Sequence, residues 1–265
     1  MADSTGIGNQ ILFVLFVASV AVWVCVLWNA LRGRAPLPAA PRASVSWPAL
    51  PVCATFLLAF YLPVLVVQIT RGLKDLPRVE QLCIANVAQI ATVVGLLAFA
   101  GPLRAADFGC NLSNWQADLR AGFAGFLASL VPVFLVIRLV QELGWMGKED
   151  KHSLLKLIEE HPEADVLGWV VLAAVFLGPL AEELIYRVLL QGWTQSHTGP
   201  AKSIAFSSTI FCLAHDVTHV VPLLPLAAIL GYVYWRRRSY LAVVVLHALF
   251  NGTIITLSLF MQASS

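Results

Sequence analysis

The chain contains eight long windows free of Asp, Glu, Lys and Arg: residues 4–31, 43–70, 81–103, 121–137, 166–181, 203–215, 217–235 and 239–265. About 20 apolar residues carry a helix across the hydrocarbon core of a bilayer, and most of these windows reach that length. The fifth continues through a charged stretch to about Trp193, and the sixth is the shortest. A backbone in lipid must satisfy its own hydrogen bonds, so the windows read as helices. The pattern predicts an all-α fold: a polytopic membrane helical bundle of about eight transmembrane helices. The first window is not preceded by a positive segment, since residues 1–10 hold no Lys or Arg, so it reads as a retained helix rather than a signal peptide.

Between the windows the chain is polar or irregular. Residues 32–47 carry Arg32, Arg34, Arg42 and several prolines, and read as an irregular connection. Residues 104–120 include Asn111-Leu112-Ser113, a formal glycosylation sequon of a kind that arises often by chance. The one long connection, about 142–165, alternates Leu154, Leu155, Leu157 and Ile158 with Lys151, Lys156, Glu159 and Glu160. That spacing predicts a short amphipathic helix, either lying in the membrane interface or capping the bundle. No internal repeat is visible. The organisation expected is one integral unit. Residues 1–141 are its N-terminal transmembrane flank, and residues 142–265 hold the interfacial loop and the core helices.

Composition supports the membrane reading. The 265 residues are 59% hydrophobic and 12% charged, against about 25% charged in a soluble domain. Mean hydropathy is +0.80. The net charge of +2 is too small to suggest a nucleic-acid partner. Cys25, Cys53, Cys83, Cys110 and Cys212 form no C-x-x-C pair and read as small core residues.

Against this background, Ala181-Glu182-Glu183-Leu184-Ile185-Tyr186-Arg187 stands out. Each ionised side chain at mid-bilayer costs about 2.5–3.5 kcal/mol on insertion scales. On a helix Glu183 and Arg187 are four apart with the acid first, the favourable pairing order. Glu182 lies about 100° away and need not share that cation. The stretch therefore supplies one neutralised pair and one surplus carboxylate. It is either a buried network that locks helices together or a reactive site.

Two further spans carry polar groups. One ends Phe211-Cys212-Leu213-Ala214-His215; the other holds His247-Ala248-Leu249-Phe250-Asn251, which puts His247 and Asn251 on one helix face. A lone histidine on an apolar face is commonly a satisfied core residue. A carboxylate, a histidine and a His/Asn pair on three helices are costly to bury unless they meet. If they meet, a carboxylate beside an imidazole can orient water and take its proton. A second imidazole N–H and an amide NH2 are donors suited to an oxyanion. Those are the parts of an amide hydrolase with water as nucleophile.

Glu182-Glu183-x-x-x-Arg187, Phe211-x-x-x-His215 and His247-x-x-x-Asn251, in that order and spacing, resemble the three motifs of the CAAX-protease and bacteriocin-processing family of intramembrane endopeptidases. The apolar segment Leu226 to Arg236, with Gly231, fits the same pattern, and the resemblance covers about residues 165–255. It implies a helical-bundle endopeptidase in a bacterial-type cell membrane, acting on a peptide or protein substrate in or near the bilayer. It further implies that Glu182 and His215 activate water, that His247 and Asn251 hold the oxyanion, and that Glu183, Arg187 and Phe211 support the site.

The family has been described both as metalloproteases and as glutamate-dependent proteases. A zinc ion on His215, His247 and Glu182 is thus an alternative to a site without cofactor, and the metal-free site is the expectation adopted. His215-Asp216-Val217-Thr218-His219 carries two histidines four apart but has Asp where zinc proteases have Glu, so it is not expected to be a zinc helix. The competing functions are a non-catalytic membrane immunity or scaffold protein and a proton-coupled transporter using Glu182. The positive-inside rule favours cytoplasmic odd-numbered loops and external termini.

Overall fold

The computed structural model describes residues 4–40, 47–73, 77–110, 112–147, 153–160 and 163–262. Among these the chain is all-helical. The nine helices are α1 (Ser4–Leu31), α2 (Ala49–Leu73), α3 (Arg78–Ala100), α4 (Trp115–Glu142), α5 (Ser153–Glu160), α6 (Ala164–Thr198), α7 (Pro200–Leu213), α8 (Val220–Arg237) and α9 (Tyr240–Gln262). Seven, all but α5 and α7, are long and apolar enough to cross a membrane. The protein is an integral, multi-pass membrane protein.

The window at 203–215 differs from expectation. Its helix α7 has 14 residues, about 21 Å at 1.5 Å per residue, short of the roughly 30 Å hydrocarbon core. The helix ends at Leu213, and a turn through the 3-10 segment Val217–His219 leads into α8. Pro222 falls in the first turn of α8, where its missing N–H breaks no bond.

Helices α7 and α8 pack against each other as an antiparallel hairpin. Ile204, near the start of α7, touches Gly231, near the end of α8. The hairpin therefore leaves the bundle at the end where it entered, whatever depth its turn reaches. Consistent with this, Gly8 of α1 abuts Phe260 of α9, so both chain ends lie at one end of the bundle.

Helix α4 is the central strut, packed against α1, α8 and α9. It approaches α9 closely because Gly122 and Gly125 face it. A Cβ on Gly122 would stand 2.6 Å from the carbonyl oxygen of Ala242, and one on Gly125 2.5 Å from Leu246 Cδ1. Such small-residue seams suit membrane helices, whose association draws on close packing. Helix α1 is tied to α4 by Trp23 Nε1 donating to the Ala128 carbonyl (3.0 Å) and Val131 N donating to Ser19 Oγ (3.2 Å). One apolar core runs through both halves of the chain, from Val52, Val93 and Phe126 to Leu189, Leu230 and Leu246. Helix α5 buries Ile158 against Val79, Cys83, Val170 and Ile255, so its apolar face caps the bundle.

Some expectations change or fall outside the described residues. Cys83 and Cys212 are buried, but Cys25, Cys53 and Cys110 are exposed, so three of the five are not core residues; all are free thiols. Asn111 of the sequon, and Arg42, Lys74, Lys148 and Lys151, lie outside the described residues.

The bundle end away from the termini carries Arg32, Arg34, Arg104, Arg120, Lys202, Arg236, Arg237 and Arg238. It is cross-linked there. Arg237 pairs with the buried Asp118 (2.8 Å), and Arg236 donates to the Leu37 carbonyl. The opposite end carries Arg71, Arg78, Arg138 and Lys156 among the described residues. The basic bias predicts that the arginine-rich end is cytoplasmic. A phosphatase fused after Ser265, active only outside the cytoplasm, is expected to be active, and a silent fusion would reverse this orientation.

Candidate active site

The site forms where α6, α7 and α9 meet. Helix α6 is not a regular α-helix. It widens into π-helical turns at Leu172–Leu177 and at Leu184–Gln191, flanking the short α-helical piece Gly178–Glu183 that carries the two glutamates. Such turns often mark functional positions. The first has a visible consequence. Gly178 N donates five residues back to Ala173, and on that register the donor for Ala174 is Pro179, which has no N–H. The Ala174 carbonyl is instead met by Asn251 Nδ2 of α9 at 2.8 Å. A second tie lies nearby: Tyr240 Oη at the start of α9 donates to the Leu180 carbonyl.

Glu183 and Arg187 form the expected ion pair, with Arg187 Nε donating to Glu183 Oε2 at 3.1 Å and both side chains fully buried. The other oxygen, Glu183 Oε1, accepts from His247 Nδ1 at 2.8 Å. Motif spacing does not disclose that contact: Glu183 neutralises Arg187 and also orients a histidine from a different helix. Phe211 packs at the centre, 1% exposed. Its ring lies 5.1 Å from the Arg187 guanidinium carbon, 4.7 Å from the His215 ring and 5.9 Å from the His247 ring. Tyr186 stacks edge-on against Phe211 at 5.2 Å.

Glu182 is the surplus carboxylate. Its Oε2 is 4.0 Å from His215 Nε2 and 3.8 Å from His247 Nε2, and this buried oxygen has no hydrogen-bond partner. The Glu182 and His215 side chains keep 31% and 22% of their exposure, against 4% for His247. Glu182, His215 and His247 thus come together, whereas the hydrogen bond of Asn251 goes to the α6 backbone. His215 lies past the end of α7, and His219 sits in the following 3-10 turn with Nδ1 3.2 Å from Thr218 Oγ1. The two histidines do not share one helix face, as a zinc helix requires.

The hydrogen bonds also fix the histidine tautomers. His215 Nδ1 lies 2.8 Å from the Phe211 carbonyl, which can only accept, so Nδ1 carries the proton. The neutral ring then presents a bare Nε2 to Glu182. His247 Nδ1 donates to the Glu183 carboxylate, so its Nε2 carries a proton only in the imidazolium.

The donor set of two imidazole nitrogens and a carboxylate is chemically apt for zinc. Tetrahedral coordination with bonds of about 2.0–2.1 Å separates ligand atoms by roughly 3.3 Å. The separations of 3.8 and 4.0 Å exceed this. Among the described residues no group of three or more His, Cys, Asp or Glu is placed to hold a metal ion. In this arrangement the donor atoms stand wider apart than a bound zinc would hold them.

A polytopic helical membrane protein with carboxylates and imidazoles gathered between its helices belongs to the class of intramembrane proteins with a buried polar site. More specifically, residues 165–253 match the family model described as type II CAAX prenyl endopeptidase Rce1-like. That match agrees with the resemblance to the CAAX-protease and bacteriocin-processing motifs. No curated protein and no solved structure matches the chain.

The buried pair makes a stability prediction. Removing one partner of a buried ion pair costs about 3–5 kcal/mol. Arg187→Leu is therefore expected to lower the folded yield sharply, read as the monodisperse fraction of a detergent extract on size-exclusion chromatography. An unchanged elution profile and yield would show that the pair is dispensable for folding.

Proposed function

We propose that the protein is an intramembrane endopeptidase that hydrolyses peptide bonds of membrane-associated peptides or proteins, of CAAX type or of bacteriocin and peptide-processing type. The observation that carries this reading is the Glu182 carboxylate, whose buried Oε2 has no hydrogen-bond partner and faces two imidazole nitrogens within 4.0 Å, inside a segment that matches a membrane-endopeptidase family model.

In this reading Glu182 and His215 hold the attacking water. Both present acceptors, the carboxylate and the bare Nε2, which suits the two O–H bonds of one water molecule. The water oxygen bonds to the scissile carbonyl carbon while its proton passes to Glu182. The carbonyl oxygen becomes an oxyanion, held by the Nε2–H of the His247 imidazolium and by the Asn251 amide proton not engaged by Ala174. The C–N bond then breaks as Glu182 returns the proton to the leaving amine. Glu183, with Arg187 behind it, keeps His247 oriented. Phe211 holds the rings of both histidines apart.

The proposed roles separate by mutation. Glu182→Gln keeps the shape but not the base and is expected to abolish cleavage of a panel of prenylated CAAX-type and apolar bacteriocin-type peptides by the purified protein. Asn251→Ala is expected to retain measurable activity, lowered by about 10²–10³-fold, the usual cost of one oxyanion donor. A fully active Glu182→Gln enzyme beside a dead, folded Glu183→Gln enzyme would mean that the two glutamates exchange roles.

The proposed chemistry is metal-independent, since the ligand spacing does not suit zinc and a zinc on Glu182 and both histidines would consume the base. Chelator-washed enzyme is expected to stay active with less than stoichiometric metal by elemental analysis. One zinc per chain, with activity lost on chelation and restored by zinc alone, would refute this part of the reading.

A further inference from the structure

The sequence singled out Gly231 without assigning it a purpose, and the structure supplies one. A Cβ there would stand 2.9 Å from Ile204 Cγ2 and 3.1 Å from Gln191 Oε1, so the glycine lets the Gln191 amide lie flat against the α8 backbone. Gln191 Nε2 donates to the Gly231 carbonyl at 2.8 Å. Gln191 Oε1 accepts from Ser207 Oγ at 3.2 Å, and Ser207 Oγ accepts from Arg187 Nη1 at 3.4 Å. From Arg187 the path continues to Glu183 (3.1 Å) and from Glu183 to His247 Nδ1 (2.8 Å). Gln191, Ser207, Arg187 and Glu183 are each 0% exposed, and His247 is 3% exposed. The path joins α6, α7, α8 and α9, and none of its outer members belongs to the three motifs.

We infer that Gln191 and Ser207 are positioning residues that set which oxygen of Glu183 serves His247. The argument rests on the donors of Arg187. Nε holds Glu183 Oε2, Nη1 is held by Ser207, and Nη2 is buried with no hydrogen-bond partner. A guanidinium beside a carboxylate tends to grip both oxygens in a fork. Here the fork, which Nε would share with Nη2, is not made: Ser207 anchors the far side of the guanidinium through Nη1, Nη2 stays off the carboxylate, Arg187 takes one oxygen, and the other is left to His247. Each hydroxyl or amide in the path accepts on one side and donates on the other, so the bonds polarise in one direction and reinforce each other. Without the Ser207 hydroxyl the guanidinium can turn to chelate Glu183, and His247 loses the acceptor that fixes its ring. A side chain that only filled space would give no such route to His247.

This inference rests on the endopeptidase reading for its kinetic arm, and a second arm is independent of activity. Full-length Ser207→Ala, Ser207→Thr and Gln191→Leu proteins are compared with wild type in peptide cleavage. The side-chain 15N spectrum of histidine-labelled protein is recorded in parallel, with the His247 signals assigned by their loss in His247→Gln. The expected result is a kcat lowered about 10-fold in Ser207→Ala and Gln191→Leu, the scale of a small misplacement of a reacting group. KM is expected to stay within about twofold, as for an interaction made in the transition state. The His247 Nδ1 signal should move in both variants, and Ser207→Thr, which keeps the hydroxyl, should restore both readouts. An unmoved His247 signal in Ser207→Ala overturns the inference, whether kcat is intact or reduced, because the residue then does not act through His247. If wild type cleaves no peptide but the His247 signal shifts in Ser207→Ala, the positioning path stands and the endopeptidase reading falls.

Discussion

The site depends on one buried carboxylate that serves two partners. Glu183 is fully enclosed, with Arg187 on one oxygen and His247 on the other. Neither a lone anion nor a lone cation is tolerable at this depth, and each is neutralised here by a neighbour held at hydrogen-bond distance. The pair lies within α6, but the histidine comes from α9, so satisfying the charge also fixes how the two helices meet. Phe211 of α7 then packs on the guanidinium and on both imidazoles. Three helices are brought to one point by the electrostatic needs of a single side chain.

The backbone of α6 makes that convergence feasible. A regular helix offers its neighbours only side chains, because its own carbonyls are engaged. The π-helical turn at Leu172–Leu177, with Pro179 beyond it, releases the Ala174 carbonyl, and Asn251 occupies it. Asn251 is thereby tethered through one amide proton while the other stays available. In lipid an unmet carbonyl is expensive, so irregular backbone persists where a partner stands ready to meet it. The irregularity and the asparagine explain each other.

Part of this arrangement is legible in the local spacing of the sequence. The Glu183–Arg187 pair and the shared face of His247 and Asn251 follow from the 3.6-residue repeat, and seven of the eight expected spans from the absence of charge. The remaining window, 203–215, is bounded by Lys202 and Asp216 and is too short to span; α7 fills it and ends at Leu213. The bond from Glu183 to His247 bridges 64 positions and depends on helix packing that no local pattern encodes. Gln191 and Ser207 escape sequence reasoning for a related reason. In an apolar helix a lone Gln or Ser is unremarkable until its partners are known. Gln191, a long amide within a span, is the one a sequence could flag; Ser207 also has the Ile204 carbonyl of its own helix within reach at 3.3 Å, so nothing local marks it.

The short α7 also accounts for the division of the site into dry and accessible halves. Glu183 and Arg187 have no exposure, whereas Glu182 and His215 keep 31% and 22%. Because the helix stops at Leu213, His215 sits at the mouth of the turn, held by one bond from Nδ1 to Phe211, with Nε2 directed at Glu182. Adjacent residues in sequence therefore take opposite environments. Glu183 is wholly enclosed beside its cation, and Glu182 next to it keeps part of its surface open beside His215. The early end of one helix sets these two environments side by side.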